Sequence, residues 1–269
     1  MALRKALYSI LACFFILFPI PVKAQEVSSD TVWNQTDNDG LKQGYWRKYY
    51  DTGILRYTGY FVDNKPVGHL TRYYDSGKKM ADINFSEDGS AAYAILYYQN
   101  GALAAEGKYI SQAKDSVWRY YSYYSKTLSL EESFSQGIKH GESRVFYDNG
   151  EVAQIITWEN DIKHGPWKQY YEDSSVRLVT LYNNGQLDGR YQIYNKDGIL
   201  IIDGIYDSDL KTGTWIYYLD DGTVDFELVY IDGVLQNEEV MEEKLHEFME
   251  QLEISDTIPE PDLENFMPR

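Results

Sequence analysis

The chain has 269 residues, 43% of them apolar and 16% aromatic, which is ample for a buried core and excludes a disordered polymer. Its 42 acidic residues outnumber the 25 basic ones, and the net charge of −17 argues against nucleic acid and anionic lipid as main partners. Tyrosine alone contributes 26 residues, which is typical of half-buried β-strands rather than helical cores. We therefore expect an all-β fold, while composition names no reaction and no ligand.

Residues 1–24 have the pattern of a secretory signal peptide. Arg4 and Lys5 precede an apolar run, and small residues lead up to Ala24, after which we expect cleavage. A retained anchor is the alternative, but the run is short for a bilayer span, which needs about 20 apolar residues. Cleavage would remove Cys13, the only cysteine, and with it disulfides, thiolate catalysis and cysteine metal sites. We predict an exported protein with no membrane span after cleavage.

A repeat of 24 residues runs through the middle of the chain, which is the sequence signature of a repeat architecture. Glycines mark the regular unit starts, at Gly44, Gly68, Gly141, Gly165, Gly189 and Gly213. The gap after Gly68 holds two degenerate units, which start near Ala92 and Val117. Eight units thus cover residues 44–236.

Aromatic residues recur at two fixed positions of the unit. The fifth position carries Tyr49, Tyr73, Tyr97, Phe146, Tyr170, Tyr194 and Tyr218, with the fourth unit out of register. The seventeenth carries Phe61, Phe85, Tyr109, Phe134, Trp158, Tyr182, Tyr206 and Tyr230. Between them lie turn sequences such as Asp51-Thr52-Gly53, which favour hairpins with positive φ. Each unit is predicted to be a strand, a tight turn, a strand and a looser turn. Because a lone hairpin is marginally stable, the units should stack into one elongated antiparallel sheet.

The motif Gly-x-Trp-x-x-Tyr-Tyr-x-x-Gly-x-Leu over residues 44–55, with partial copies at 165–171 and 213–222, resembles the MORN-repeat variant family of bacteria. The resemblance implies a twisted β-hairpin array used for binding or spacing, and some members carry an antitoxin label. The chain departs from the motif at Ala92, through the fourth unit, and at Ser174, where the turn glycine is expected. These departures leave the geometry between residues 90 and 140 open. In a bacterium, the leader would deliver the protein to the periplasm or the cell surface.

Three further segments flank the array: a lead-in and partial capping repeat at 25–43, an amphipathic helix at 237–254, and a flexible acidic tail at 255–269. Asn237 is the expected N-cap of the helix. Its apolar residues recur at spacings of three and four, namely Met241, Leu245, Phe248, Met249 and Leu252. We expect this apolar face to cover the last hairpin, with docking of a partner as the alternative.

Positions two and six of each unit are the candidate binding residues. Side chains alternate across a strand, so these positions point away from position five. They define an aromatic stripe of Trp46, Tyr50, Tyr74, Tyr98, Tyr147, Trp167, Tyr171, Tyr191 and Trp215. If position five faces the core, the aromatic stripe faces outward and suits sugar rings, peptide side chains or a protein partner. The alternative is that sheet twist buries both faces, or that the rings only stiffen the sheet.

The sequence carries no recognisable catalytic or metal-binding constellation. His140 and His164 lie 24 residues apart in matching Lys-His-Gly segments. Equivalent positions of neighbouring hairpins are about 9–10 Å apart, whereas nitrogens that share a zinc ion lie within about 4 Å of each other. Phosphate-binding loops and nucleophile elbows are missing as well. We therefore predict no metal, no cofactor and no enzyme activity.

We interpret the protein as an exported scaffold that binds a protein or glycan through its aromatic stripe. The alternative is an antitoxin-like or chaperone-like neutraliser of one dedicated partner protein.

Overall fold

The structure, a computed structural model, describes residues 31–255. The predicted signal peptide, Cys13 and the tail beyond Ser255 lie outside these residues. From Trp33 onward the chain forms one unit, in which the described part contains 19 strands and one helix. Among the described residues, no helix combines the length and the apolar character that crossing a bilayer requires.

The strands follow one another along the chain as a continuous meander. The first half comprises β1 (Gln35–Thr36), β2 (Lys42–Tyr49), β3 (Leu55–Val62), β4 (Lys65–Tyr73), β5 (Lys79–Phe85), β6 (Ala91–Tyr97), β7 (Leu103–Ile110), β8 (Ala113–Tyr121) and β9 (Leu128–Ser135). The second half comprises β10 (Ile138–Phe146), β11 (Val152–Glu159), β12 (Ile162–Tyr170), β13 (Val176–Asn183), β14 (Gln186–Leu187), β15 (Gly189–Tyr194), β16 (Leu200–Asp207), β17 (Leu210–Tyr218), β18 (Val224–Ile231) and β19 (Val234–Leu235), and helix α1 (Glu238–Ser255) follows.

Consecutive strands pair antiparallel to form one open sheet. The short strands β14 and β15 act as one strand interrupted at Asp188, since β13 pairs with both. The predicted all-β hairpin-repeat sheet with a C-terminal helix is thus confirmed. At its first edge, β1 pairs with only the start of β2.

The relative lengths of the two kinds of hairpin connection are the reverse of those expected. Within a unit the connection is the longer one: the Tyr50 N–H donates to the Ile54 carbonyl at 2.8 Å, and Gly53 takes φ +81°. Ser174 adopts the same left-handed conformation at φ +68° in place of a glycine. Between units only two residues turn the chain, such as Asp63 and Asn64, both with positive φ. The connection predicted to be looser is therefore the tighter one, because a two-residue turn of this type matches the twist of the paired strands.

The degenerate third and fourth units continue the sheet without a break. Ala92 pairs directly with Phe85 on the preceding strand. The fourth unit starts at Ser116, one residue before the predicted Val117, and its φ of +61° lies in the same left-handed region as the glycines at other unit starts. Its irregularity is confined to a longer turn, closed by a 2.9 Å hydrogen bond from the Ser122 N–H to the Thr127 carbonyl. With this start, Tyr121 occupies position five.

Positions two and seventeen share one face of the sheet, which we call the tryptophan face because it carries Trp46, Trp118, Trp167 and Trp215. Ring contacts connect the two positions, as between Tyr206 and Trp215 at 5.0 Å. Position five lies on the opposite face, which we call the ionic face: the Tyr121 hydroxyl donates to the Glu106 carboxylate at 2.8 Å. Position five therefore does not face the core; position two does.

Two fully buried side chains of the tryptophan face, Trp118 and Trp215, are stacked on glycines of the preceding strand. Trp118 is 1% exposed, and a Cβ atom added to Gly107 would lie 2.3 Å from its indole. The indole Nε1 donates to the Lys108 carbonyl at 2.9 Å. Trp215 lies over Gly204 in the same way. Each such pair joins two neighbouring units, so stability is shared between them.

Candidate functional site

The structure divides the predicted aromatic stripe between two settings. Its position-two residues, Trp46, Trp167, Tyr191 and Trp215, lie on the tryptophan face, where Trp215 is 2% exposed and the others are half-buried. Its position-six tyrosines are all half-buried near the turns within units. The nine residues are not brought together as one exposed stripe, and their binding of a ligand stays a prediction.

The position-six tyrosines link neighbouring hairpins. The Tyr50 hydroxyl donates to the Tyr73 carbonyl of the next unit at 2.8 Å. The same hydrogen bond recurs, at 2.6 to 2.8 Å, from Tyr74 to Tyr97, Tyr98 to Tyr121, Tyr147 to Tyr170 and Tyr171 to Tyr194. A hydrogen bond of this kind typically contributes about 1 kcal/mol. These five hydrogen bonds therefore link each hairpin to the next one along the array.

Lysines cover the aromatic rings of the tryptophan face, a feature that the sequence analysis missed. Each stands two residues before a unit start and places its Nζ 4.3 to 4.9 Å from a ring centroid: Lys42, Lys114, Lys139, Lys163 and Lys211. Burial lowers the pKa of Lys114 and Lys211, because the ammonium loses solvating water there. Such cation–π contacts typically contribute about 0.5–2 kcal/mol. The regular spacing of these lysines, two residues before a unit start, was the sequence signal from which these contacts could have been predicted.

Several carboxylates on the ionic face are paired. The Arg190 guanidinium donates two hydrogen bonds, of 2.6 and 2.8 Å, to the Asp203 carboxylate. The Arg119 guanidinium donates one to Glu131 at 2.8 Å. Burial, together with the hydrogen bond to Glu106, raises the pKa of Tyr121 to about 12. The phenol is therefore neutral at physiological pH and donates to one carboxylate oxygen of Glu106.

Two exposed tyrosines and the half-buried Tyr98 form a central tyrosine cluster of Tyr98, Tyr123 and Tyr124. The rings of Tyr98 and Tyr123 meet edge to face at 5.1 Å, and those of Tyr123 and Tyr124 at 5.3 Å. Tyr123 is 47% and Tyr124 91% exposed. The longer turn of the fourth unit creates the cluster. Tyr98 is one of the predicted binding residues, whereas Tyr123 and Tyr124 were not predicted, although their loss of register was a signal.

A second group, the N-terminal aromatic patch, comprises Trp33, Tyr45, Arg47 and Tyr60. Tyr45 contacts Trp33 at 5.8 Å and Tyr60 at 5.0 Å, and the Arg47 guanidinium lies 4.9 Å from the Trp33 ring. Tyr60 is 40% exposed. Like the central tyrosine cluster, this patch offers rigid ring surface to a partner.

A groove of about 420 Å³ lies on the tryptophan face of the first two units. We call it the basic groove because its walls carry four cationic side chains above a floor that includes Phe61 and Leu70; the cations are Lys42, Lys48, Arg56 and Arg72. No Asp or Glu lines it.

Within residues 31–255, no three His, Cys, Asp or Glu side chains come together in a manner that could hold a metal ion. His140 and His164 are both exposed, and the His164 Nε2 lies 4.0 Å from a Glu159 carboxylate oxygen.

The geometry is that of a repeat protein whose hairpins share one sheet and present exposed rings. Comparison with protein families agrees: the family described as MORN repeat variant matches residues 42–63, 139–160 and 163–186. These segments are MORN-variant repeats, which confirms the resemblance. None of the curated proteins compared with the chain matches it.

Proposed function

We propose that the protein is an exported, non-catalytic MORN-repeat scaffold that binds a protein partner through the central tyrosine cluster. The observation that supports this proposal most strongly is the exposure of Tyr123 and Tyr124 beside the rigidly held Tyr98. Tyrosine is among the residues that dominate binding energy at protein interfaces, because its ring supplies large contact area at a low entropic cost.

The sheet beneath the central tyrosine cluster favours a role in binding rather than in catalysis. The Tyr98 hydroxyl is fixed on the Tyr121 carbonyl at 2.8 Å, so the cluster stands on backbone that other hairpins hold in place. Rigid presentation lowers the entropy lost on binding. A glycan partner is a second use of the same rings, since sugars also stack on exposed tyrosines.

The test places a photo-crosslinking residue at Tyr124 in the full-length protein, in cells that produce it naturally. We expect one discrete protein adduct, whose yield falls about tenfold when the cluster is weakened by Tyr123→Ala. A matched control carries the same photo-crosslinker at Thr52, an exposed turn residue of another unit, and should yield no such adduct. Equal adducts at both positions, or none at Tyr124, would contradict a protein site at the cluster, and retention on a glycan column that depends on Tyr123 would point to sugar instead.

A further inference from the structure

The basic groove is a concentration of positive charge in a strongly acidic chain. Its four cations, Lys42, Lys48, Arg56 and Arg72, form no ion pair with any described carboxylate. The Lys42 Nζ instead donates to the Tyr57 hydroxyl at 3.0 Å, and the Arg56 guanidinium lies 5.5 Å from the Tyr50 ring. Unneutralised cations around an apolar floor attract an anionic group that also carries apolar surface.

Helix α1 has the complementary character. Its described side chains include six glutamates and a single lysine, and Lys244 already pairs with Asp225 at 2.8 Å and Glu247 at 2.7 Å. The apolar residues predicted to cover the last hairpin are exposed instead: Met241 by 41%, Leu245 by 60%, Phe248 by 56% and Met249 by 49%. That expectation is therefore wrong, and α1 presents an uncovered apolar face with acidic flanks.

The helix is tied to the far end of the array. The Asn237 side-chain oxygen accepts from the Val229 N–H at 2.8 Å, and its amide donates to the Glu227 carbonyl at 3.0 Å. This amide pairs with the backbone of β18 as a further strand would, and it fixes the start of α1 there. Lys244 binds Asp225 on the same strand.

The helix and the basic groove of one copy belong to opposite ends of the array. Twelve strands, β6 to β17, separate β5 from β18. At about 4.8 Å per strand, the path along the sheet is about 60 Å. The groove of one copy is therefore open to the helix of another.

We propose that the acidic, apolar face of α1 from one copy docks in the basic groove of a second copy, so that copies associate head to tail. The glutamates would meet the groove cations, while Leu245 and Phe248 would cover its apolar floor. Such a contact joins two different surfaces, so it leaves one groove and one helix free and permits further addition. The residues involved are separate from the central tyrosine cluster, and this inference stands independently of the proposed partner.

Sedimentation velocity of three full-length proteins tests the proposal. The groove variant carries Lys48→Glu and Arg72→Glu, and the helix variant carries Leu245→Ser and Phe248→Ser; all four side chains are exposed, so both variants should fold. We expect the wild type to grow in mass with concentration and to dissociate at high salt, since exposed charges are then screened. Each variant alone should associate about tenfold more weakly or remain monomeric.

Mixing the two variants gives the decisive result. The groove variant keeps an intact helix and the helix variant an intact groove, so a mixture should form pairs that cannot grow further. A control with Lys108→Glu and Lys168→Glu, exposed lysines outside the groove, should associate as the wild type does. A wild type that stays monomeric at all concentrations, or variants that associate as the wild type does, would overturn the proposal, as would a mixture that forms no pairs.

Discussion

Replacing Gly107 by alanine should destabilise the protein by about 3 kcal/mol, the upper part of the range for overpacking a core. The added Cβ would lie 2.3 Å from the Trp118 indole, which is 1% exposed and has no free space to move into. Without this contact, alanine would be favoured over glycine inside a strand by about 0.5–1 kcal/mol. A destabilised Gly107→Ala variant would therefore indicate the steric contact with Trp118. Urea unfolding followed by circular dichroism measures the change.

The chain supplies a matched control at Gly59, the same repeat position two units earlier. There a Cβ would meet the aliphatic Leu70 side chain at 3.1 Å, which requires only a small displacement, and we expect Gly59→Ala to change stability by about 1 kcal/mol or less. The double variant Gly107→Ala/Trp118→Leu reproduces the smaller contact between Gly59 and Leu70. Its loss in free energy of unfolding should be smaller than the sum of the losses of the two single variants. Equal losses at Gly59 and Gly107 would contradict the stacking of tryptophan on glycine.

Replacing Trp215 by alanine should cost about 3–5 kcal/mol, the usual range for removing a buried large aromatic side chain. Trp215 is 2% exposed, contacts Tyr206 at 5.0 Å and Tyr191 at 5.6 Å, and donates from Nε1 to the Ile205 carbonyl at 3.2 Å. Thermal unfolding of the purified protein measures the loss. A change below about 1 kcal/mol would mean that this side chain lies at the surface.

Tyr124→Ala is the matched control for Trp215→Ala. Tyr124 is 91% exposed, so its removal should alter stability by no more than about 0.5 kcal/mol. The comparison also bears on binding experiments. Loss of a partner after Trp215→Ala would report unfolding as readily as a lost contact, whereas loss after substitution within the central tyrosine cluster reports the contact itself.

The fold could be predicted because its signal is local and repeated. Turn residues such as Gly53 and the aromatic rings at positions five and seventeen recur with the period of one hairpin. Which face is buried could not be predicted from alternation alone, since alternation separates the two faces without ranking them. The contact that determines which face is buried joins two residues eleven apart in the sequence, such as Gly107 and Trp118. A glycine inside a strand is a signal of close approach, and it could have been used here.

The candidate site was predictable only in part. Tyr98 follows the repeat and was named, whereas Tyr123 and Tyr124 owe their exposure to a longer turn that breaks the period. The basic groove gathers side chains from β2 to β5 whose convergence depends on sheet register. Register is fixed by hairpin geometry across strands, and it is not visible in the spacing of any one unit.

The hairpins form one continuous sheet that runs through the two degenerate units. Amide hydrogen exchange of the full-length protein, followed by mass spectrometry, tests this continuity. We expect peptides from residues 91–135 to be protected as strongly as those from the regular units on either side, because β6 to β9 are paired along their lengths. Rapid exchange across 91–135, with slow exchange on both sides, would instead show two separate arrays.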